Sequence, residues 1–239
     1  MRTDSERYFS RDYLSHNPTW DEEHAGWKAA KIFQLISRYE LQPQSLCEVG
    51  CGSGGVLAAL RDYLGEGCHL TGYDIAPVLK DFWEKHGDRG IDFRLADFLE
   101  SHPEEHCDIL LLIDVLEHLE NPLEFLRLIL PRAGCFIFHI PLDLHAQGAL
   151  RGTPLVLARQ RTGHLHYWNK DLALAILQEC GLGIRHWEYT AGTVDLPTDL
   201  WRRRLARFPR QLLFALTPDL AVRLLGGYSL LVLAHPESR

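Results

Sequence analysis

The fold is best recognised from a glycine-rich turn that reads Glu48-Val49-Gly50-Cys51-Gly52-Ser53-Gly54-Gly55. A short apolar run precedes this turn, and a segment with the apolar spacing of a helix follows it. Glycines at such a junction let the backbone bend sharply and approach a ligand without interference from Cβ atoms. Because the spacing Gly50-x-Gly52-x-x-Gly55 also matches the dinucleotide fingerprint, the turn by itself leaves the identity of the ligand open.

Strand-like and helix-like segments alternate on both sides of this turn. Apolar or alternating runs predict strands at 45–49, 69–73, 91–95, 107–113, 135–140, 184–189 and 228–234. Helical spacing predicts helices at 56–64, 77–86, 122–130, 171–180 and 196–225, and another that begins near Asp21, a candidate cap. Repeated strand–helix–strand units indicate an α/β fold with a mostly parallel sheet and helices on both faces.

Composition excludes several classes of protein. The chain has 239 residues, a formal net charge of −7 at pH 7 and a pI near 6.0, which argues against a general nucleic-acid binder. No stretch approaches the roughly 20 apolar residues of a transmembrane helix, and the N-terminus lacks the apolar core of a secretory signal. The six cysteines have no paired metal-ligand spacing and are interpreted as reduced thiols. We therefore expect a cytoplasmic protein.

Acidic residues follow the strands at the edge where the glycine turn lies. Asp74 ends the second strand, about 20 residues after the glycines, where an acid can accept hydrogen bonds from ribose hydroxyls. Asp97 and Phe98 follow the third strand and offer an acceptor and an apolar face to a purine. The carboxylate of Glu48 would repel a pyrophosphate and attract a cationic ligand. These acids bear on the choice between possible ligands, and Glu48 disfavours a dinucleotide.

In order along the chain, these motifs resemble those of class I S-adenosylmethionine-dependent methyltransferases. The resemblance rests on the glycine turn, Asp74, Ala96-Asp97-Phe98 and Asp114-Val115-Leu116-Glu117-His118-Leu119, which is similar to the motif of the small-molecule branch (methyltransferase type 11/23-like). It covers residues 45–190, and 228–234 resembles the last strand of that family. It implies a Rossmann-like fold with a seven-stranded, mostly parallel sheet, whose antiparallel last strand lies between strands five and six.

The resemblance also assigns cofactor contacts to residues at the ends of the first four strands. These residues are Glu48, Gly50, Cys51, Gly52, Ser53, Gly54, Asp74, Ile75, Asp97, Phe98, Asp114 and Val115. Asp74 would bind the ribose hydroxyls, Asp97 would accept from the adenine amino group, and Asp114 would lie near the sulfonium. Each of these acids could instead be a solvated loop residue.

The implied activity is transfer of a methyl group from S-adenosyl-L-methionine to a small-molecule acceptor, with oxygen favoured over nitrogen or carbon. We expect one methyltransferase domain over 1–239, with a helical cover (1–44), a cofactor-binding core (45–140), an acceptor-side loop (141–169) and a helical insertion (195–226). Because the sulfonium is already an activated donor, catalysis consists mainly of alignment, and an oxygen nucleophile also benefits from a base. His118 is the candidate base, although it could equally pack or orient its loop.

Polar residues in 141–169 predict the wall that faces the acceptor, above all His145, His164, His166 and Tyr167. His164-x-His166 could be interpreted as two metal ligands, but no third ligand has diagnostic spacing, so no metal is expected.

Two segments outside the central sheet each allow more than one interpretation. The arginine-rich segment 201–210 could contact an anionic membrane surface, but a helical pair that packs on the core is favoured. Aromatic residues before and within the first helix could cover the acceptor: Tyr8, Phe9, Tyr13, Trp20 and Trp27.

Two alternative functions come from other classes. A nicotinamide-dependent oxidoreductase is permitted by the glycines but disfavoured by Glu48 and by the Asp97 and Asp114 motifs. A non-catalytic, cofactor-binding partner protein would use the arginine-rich insertion for docking. A nucleic-acid amino-methyltransferase is disfavoured, because the place of its Asn/Asp-Pro-Pro-aromatic motif reads Asp114-Val115-Leu116-Glu117 here.

Overall fold

The computed structural model describes residues 17–101, 104–196 and 201–237. Its centre is one seven-stranded sheet in the order β3-β2-β1-β4-β5-β7-β6. The strands are β1 (Ser45–Val49), β2 (His69–Asp74), β3 (Ile91–Leu95), β4 (Cys107–Ile113), β5 (Ala133–Pro141), β6 (Leu182–Thr190) and β7 (Ser229–Pro236). All seven agree with the sequence-based strands to within about two residues.

The strand pairing confirms the predicted fold. The neighbours from β3 through β5 pair in parallel, with Glu48 beside Gly72 on one side and beside Leu111 on the other. β7 runs antiparallel to both β5 and β6 and lies between them. The strand order reverses between β1 and β4, and ligands of open α/β sheets bind at the carboxyl ends of the strands at such a reversal.

Helices cover both faces of the sheet. They are α1 (Glu22–Arg38), α2 (Gly55–Leu64), α3 (Lys80–Trp83), α4 (Phe98–Ser101), α5 (Pro122–Ile129), α6 (Ala146–Arg151), α7 (Thr153–Leu157), α8 (Lys170–Glu179), α9 (Gly192–Asp195), α10 (Trp201–Leu216) and α11 (Pro218–Leu224). The predicted helix 77–86 is interrupted, because 3-10 turns flank the short α3. Helices α1 and α2 pack in one apolar layer, while α5, α8 and α11 pack in the other.

The expectation of a long loop over 141–169 is wrong in its local structure. The segment contains α6, α7 and a π-helical turn at Ala158–Thr162. His145 begins α6, since its Nδ1 accepts a hydrogen bond from the Gly148 N–H at 3.0 Å, and Pro154 lies in the first turn of α7. Helices of six and five residues are too short to give the periodic pattern on which a sequence-based assignment depends.

Helix α1 packs tightly on α2. A Cβ placed on Gly55 would lie 2.8 Å from the Ala25 Cβ, so the two helices approach at a point where only glycine fits. The expected capping role of Asp21 is wrong: its φ is +58° and its side chain makes no capping hydrogen bond. Its carboxylate instead pairs with Lys28, which points along α1 towards the sheet edge.

Among the residues whose side chains the structure describes, the helical pair α10–α11 packs on the core through one face. Ala221 and Val222 are buried, and Leu213 and Phe214 pack against the same apolar cluster. The opposite face exposes five large apolar side chains: Phe208, Leu212, Leu216, Leu220 and Leu224. Within the described residues, no helix is long and apolar enough to cross a membrane.

Candidate active site

A cavity of about 1240 Å³ opens at the carboxyl ends of β1, β2 and β4. Single small ligands usually occupy about 300–1,000 Å³, so this cavity has room for two molecules side by side. Twelve of the predicted site residues line it: Glu48, Gly50, Cys51, Gly52, Asp74, Ile75, Asp97, Phe98, Asp114, Val115, His118 and His164. The structure therefore brings together most of the residues that the motifs indicated.

The glycine turn is held by the neighbouring strand. The N–H groups of Gly50 and Cys51 both donate to the carbonyl oxygen of Tyr73, at 2.8 and 3.0 Å. Gly50 has a φ of +71°, and a Cβ there would lie 2.8 Å from a methyl group of Val115. The turn therefore needs glycine both for its backbone conformation and for its contact with the residue after β4.

Two residues of the turn, Ser53 and Gly54, are not among those that line the cavity. The Ser53 carbonyl accepts a hydrogen bond from His86 Nε2 at 2.8 Å, and a Cβ on Gly54 would lie 2.6 Å from the Phe93 ring. Both residues face β3 and the segment before it, because the chain has already turned into α2. These contacts with the protein account for the residues at positions 53 and 54, and no contact with a ligand is needed to explain them.

The acids after β2 and β3 already accept backbone hydrogen bonds. Asp74 accepts from the N–H of Gly52 through Oδ2 and from that of Ala76 through Oδ1, both at 3.0 Å. Asp97 is exposed and accepts from the Leu99 N–H at 2.8 Å, as a cap of α4. Burial raises the pKa of Asp74, although these backbone donors oppose the shift. Each carboxylate keeps lone pairs that can face a ligand in the cavity.

Phe98, expected beside adenine, is mainly a core residue. It is 2% exposed, its ring contacts the ring of Tyr73 edge-on at 5.0 Å, and the Arg132 guanidinium lies 4.4 Å from its centroid. Only part of its surface can reach the cavity.

A buried charge network joins α1 to the ends of β4 and β5. Lys28 Nζ lies 2.6 Å from Asp114 Oδ2, and His139 Nδ1 lies 2.7 Å from Asp114 Oδ1. His139 continues to Thr190, whose hydroxyl lies 2.9 Å from Nε2. Burial alone would raise the pKa of Asp114, but Lys28 and His139 hold it well below its ordinary value. The network fixes the carboxylate of Asp114, a residue whose backbone has the unusual φ of +54°.

Lys28 belongs to the site although no sequence motif predicts it. Its partner Asp114 lies 86 residues away in the chain, and nothing in the local pattern of α1 indicates that pairing. The available signal is weak: Asp21, His24 and Lys28 share one helical face, and all three line the cavity.

Glu48 lies at the base of the cavity and is 2% exposed. Its Oε2 has no hydrogen-bond partner among the described residues. Burial raises the pKa of this carboxyl to about 8, and the nearby Lys28 opposes the shift. A cationic ligand beside Glu48 would favour the ionised form of this carboxyl group. This fits the expectation from the sequence that Glu48 attracts a cationic ligand.

His118 is placed on the cavity wall by a 3-10 turn at Leu116–His118. Its Nε2 lies 3.8 Å from Glu117 Oε1, and its ring contacts that of His164 at a centroid distance of 5.0 Å. Burial, together with the charge on Asp114, raises the pKa of Glu117 well above its usual value. The imidazoles of His118 and His164 therefore line the same part of the cavity.

Three predicted acceptor contacts, His145, His166 and Tyr167, are not among the residues that line the cavity. His145 begins α6, His166 Nε2 bonds to the Leu119 carbonyl at 2.9 Å, and the Tyr167 hydroxyl donates to the Leu155 carbonyl at 2.8 Å. These side chains hold the acceptor-side segment together. Within the segment, His164 and Asp143 reach the cavity.

The predicted aromatic cover is found in part. Trp20 and Trp27 line the cavity, and Trp27 contacts the His139 ring edge-on at 6.2 Å. Tyr8, Phe9 and Tyr13 lie outside the described residues.

Comparison with solved structures supports the fold. The chain aligns with a chain of the complex between the Haloferax volcanii Trm112 methyltransferase activator and a methyltransferase, at TM-score 0.63 and 18% identity, covering 98% of this chain and 97% of that one. It aligns with the SAH-bound magnesium protoporphyrin IX methyltransferase of Synechocystis PCC 6803 at TM-score 0.60 and 15% identity, covering 98% and 93%. At these identities the likeness concerns the fold.

Sequence comparison supports the family. A stretch of 90 residues is 34% identical to the probable (S)-tetrahydroprotoberberine N-methyltransferase 2 of Papaver bracteatum. That stretch is 35% of this chain and spans only 24% of the length of that relative. The model of the methyltransferase domain family matches residues 22–186, which is more than half of the chain. With its motifs, its strand order and this match, the chain belongs to the methyltransferase domain family, whose class I members use S-adenosylmethionine.

Proposed function

We propose that the protein transfers the methyl group of S-adenosylmethionine to an oxygen atom of a small-molecule acceptor. The observation that carries this proposal is the single cavity that joins two chemically different halves. One half contains the glycine turn, Asp74 and the buried Glu48, which suit a cationic nucleoside. The other contains His118 and His164, which suit an acceptor that loses a proton.

The cofactor half supplies binding and alignment. Asp74 and Asp97 would hold the ribose and adenine, while Glu48 and Asp114 provide negative charge where the sulfonium and ammonium groups would lie. Because the donor is already activated, the protein need only direct the acceptor along the axis of the departing sulfur. The buried network around Asp114 supports this by fixing the cavity wall at that point.

The histidines in the acceptor half favour methyl transfer to a hydroxyl oxygen over transfer to an amine, which is already basic. A hydroxyl must lose its proton as the methyl group arrives, and His118 is the proposed base. The named relatives include an N-methyltransferase, so methyl transfer to nitrogen is the specific competitor. The sequence match to the methyltransferase domain favours either of these over a nicotinamide-dependent oxidoreductase.

A two-stage experiment tests the proposal. Calorimetry with S-adenosylhomocysteine and with NADH should show saturable binding of the first only. Matched pairs of hydroxyl and amine acceptors are then screened for production of S-adenosylhomocysteine, and His118→Ala should lower turnover at least tenfold while cofactor affinity stays within about twofold. Binding without turnover on any acceptor, together with a stable protein partner, would favour the non-catalytic alternative. Preferential methylation of amines would refute the assignment to oxygen.

A further inference from the structure

A buried carboxyl group on the acceptor side of the cavity lacks a hydrogen-bonding partner. Glu117 is 0% exposed, and neither of its carboxyl oxygens makes a hydrogen bond within the described residues. A buried polar group left in this way destabilises the fold, and more so when it is charged. The group nevertheless borders the cavity. A partner from outside the chain would remove this cost.

The imidazoles of His118 and His164 lie close to this carboxyl group. One ligand atom each from Glu117, His118 and His164 lies within 4.8 Å of the others, and His118 Nε2 is 3.8 Å from Glu117 Oε1. Ligand atoms around a tetrahedral zinc ion at ordinary bond lengths are roughly 3.3 Å apart. Side-chain rotations that move these atoms by about 1 Å would therefore suffice to place all three on one ion.

The cluster is held in place by contacts that need no ion. His164 Nδ1 lies 2.6 Å from Asp143 Oδ2, which leaves Nε2 as the ring nitrogen available for coordination. Histidines that bind metals usually have such a carboxylate behind them. The N–H groups of Leu165 and His166 donate to the Glu117 carbonyl at 2.7 and 3.1 Å and fasten this segment to the turn after β4.

We propose that Glu117, His118 and His164 bind one divalent transition-metal ion of the zinc type, and that this ion holds the oxygen atom of the acceptor. Two imidazoles and one carboxylate suit zinc-like ions, whereas Mg²⁺ and Ca²⁺ prefer sets of oxygen ligands. Three protein ligands leave a further position open, as in catalytic zinc sites, and here it would face the cavity. The other acid–histidine group found among the described residues (Asp21, Glu23 and His24) is largely exposed, and its Asp21 already pairs with Lys28.

This inference rests on the proposed methyl transfer to oxygen and names how the acceptor is held. A hydroxyl bound to the ion loses its proton to water more readily. Its oxygen then forms a bond to the methyl carbon, while the carbon–sulfur bond breaks and its electron pair stays on sulfur. The products are the methyl ether or ester, S-adenosylhomocysteine and one proton. With the ion present, His118 serves as a ligand and the ion takes over the role of lowering the proton affinity of the hydroxyl.

The test measures the ion directly on the purified full chain. Protein treated with a chelator and then dialysed is titrated with Zn²⁺, Co²⁺ and Mg²⁺, and the visible spectrum of the Co²⁺ form reports the coordination. We expect about one Zn²⁺ per chain and at least tenfold weaker binding by Glu117→Gln and by His164→Ala. Asp143→Asn, which alters the carboxylate behind His164, should weaken binding by about tenfold or more. The matched control His24→Ala, in the exposed cluster, should bind as the unchanged protein does.

The outcomes separate this inference from the proposed function. Titration with S-adenosylhomocysteine in every variant shows whether the fold and the cofactor half are intact. If the nucleoside binds but Zn²⁺ does not, or if Glu117→Gln binds Zn²⁺ as tightly as the unchanged protein, the metal site is wrong. Loss of Zn²⁺ in His24→Ala, or preference for Mg²⁺, overturns it as well. If Zn²⁺ binds at these residues but the nucleoside does not bind, the metal site stands and the proposed function fails.

Discussion

Glu48 shows how one buried side chain can set the response of the fold to pH. Its pKa lies near 8 because burial disfavours the carboxylate. Below about pH 4.5, the ordinary value, the group is protonated in both the folded and the unfolded chain. Between pH 4.5 and 8 the unfolded chain releases this proton while the folded chain keeps it. This group therefore makes the protein less stable as the pH rises, by up to about 1.4 kcal/mol per pH unit.

Substitution Glu48→Gln should remove this dependence. The variant is expected to lose less stability than the unchanged protein between pH 5 and 8, so that the difference in the free energy of unfolding grows with pH in favour of the variant. Urea denaturation at several pH values measures this, with Glu66→Gln, an exposed side chain after α2, as the control. Parallel stability curves for Glu48→Gln and the unchanged protein would show that Glu48 is already ionised in the folded state.

The Lys28–Asp114 pair is a second prediction at the residue scale. Their side chains are 11% and 28% exposed, so Lys28→Met should leave Asp114 poorly compensated and cost about 2 kcal/mol. Lys31, one turn further along α1, pairs with Asp195 at 3.5 Å with both side chains about one-third exposed, and Lys31→Met should cost less than about 1 kcal/mol. A double-mutant cycle with Asp114→Asn measures the coupling. A coupling energy near zero would mean that the network is not a stabilising contact.

At the scale of elements, the site depends on two turns that touch. The turn after β1 presents Gly50, and the turn after β4 presents Val115 against it. Gly50→Ala should cost about 3 kcal/mol, since it combines a strained positive φ with a clash against Val115. Adding Val115→Ala should recover about half of this cost, because only the clash is relieved.

Thermal and urea unfolding of the single and double variants measures this coupling between elements. Gly67→Ala, in a loop where an added Cβ meets nothing within 4 Å, should stay within about 0.5 kcal/mol of the unchanged protein. If Gly50→Ala costs the same with and without Val115→Ala, the two turns are not in the tight contact described.

Elements that depend on long apolar runs could be predicted from the sequence, and those that depend on caps or distant partners could not. β4 was found at its observed bounds because nearly all of its side chains are buried between two helical layers. The helices α6 and α7 were missed because they are too short to show a period. At the site, strand-end acids follow from topology, since parallel strands end at one edge.

The parts of the site that escaped prediction are contacts between distant segments. The pairing of Lys28 with Asp114 spans 86 residues, and Glu117 meets His164 only because the acceptor-side segment folds back onto the turn after β4. Composition and periodicity do not reveal either contact, apart from the weak signal of the helical face that Lys28 shares with Asp21 and His24. The same reasoning explains why His166 and Tyr167, which looked equivalent to His164 in sequence, turn to backbone carbonyls.

For the molecule as a whole, ligand binding should stabilise α1 as well as the sheet edge. Saturation with S-adenosylhomocysteine at about 100 times its Kd should add about 2.7 kcal/mol to the free energy of unfolding. Because His24 and Lys28 of α1 line the cavity, amide exchange at 22–28 should slow more than exchange in α8, none of whose residues border it. Hydrogen–deuterium exchange with mass spectrometry measures both segments in one sample. Equal slowing in α1 and α8 would indicate only global stabilisation, and α1 would then be a passive wall of the cavity.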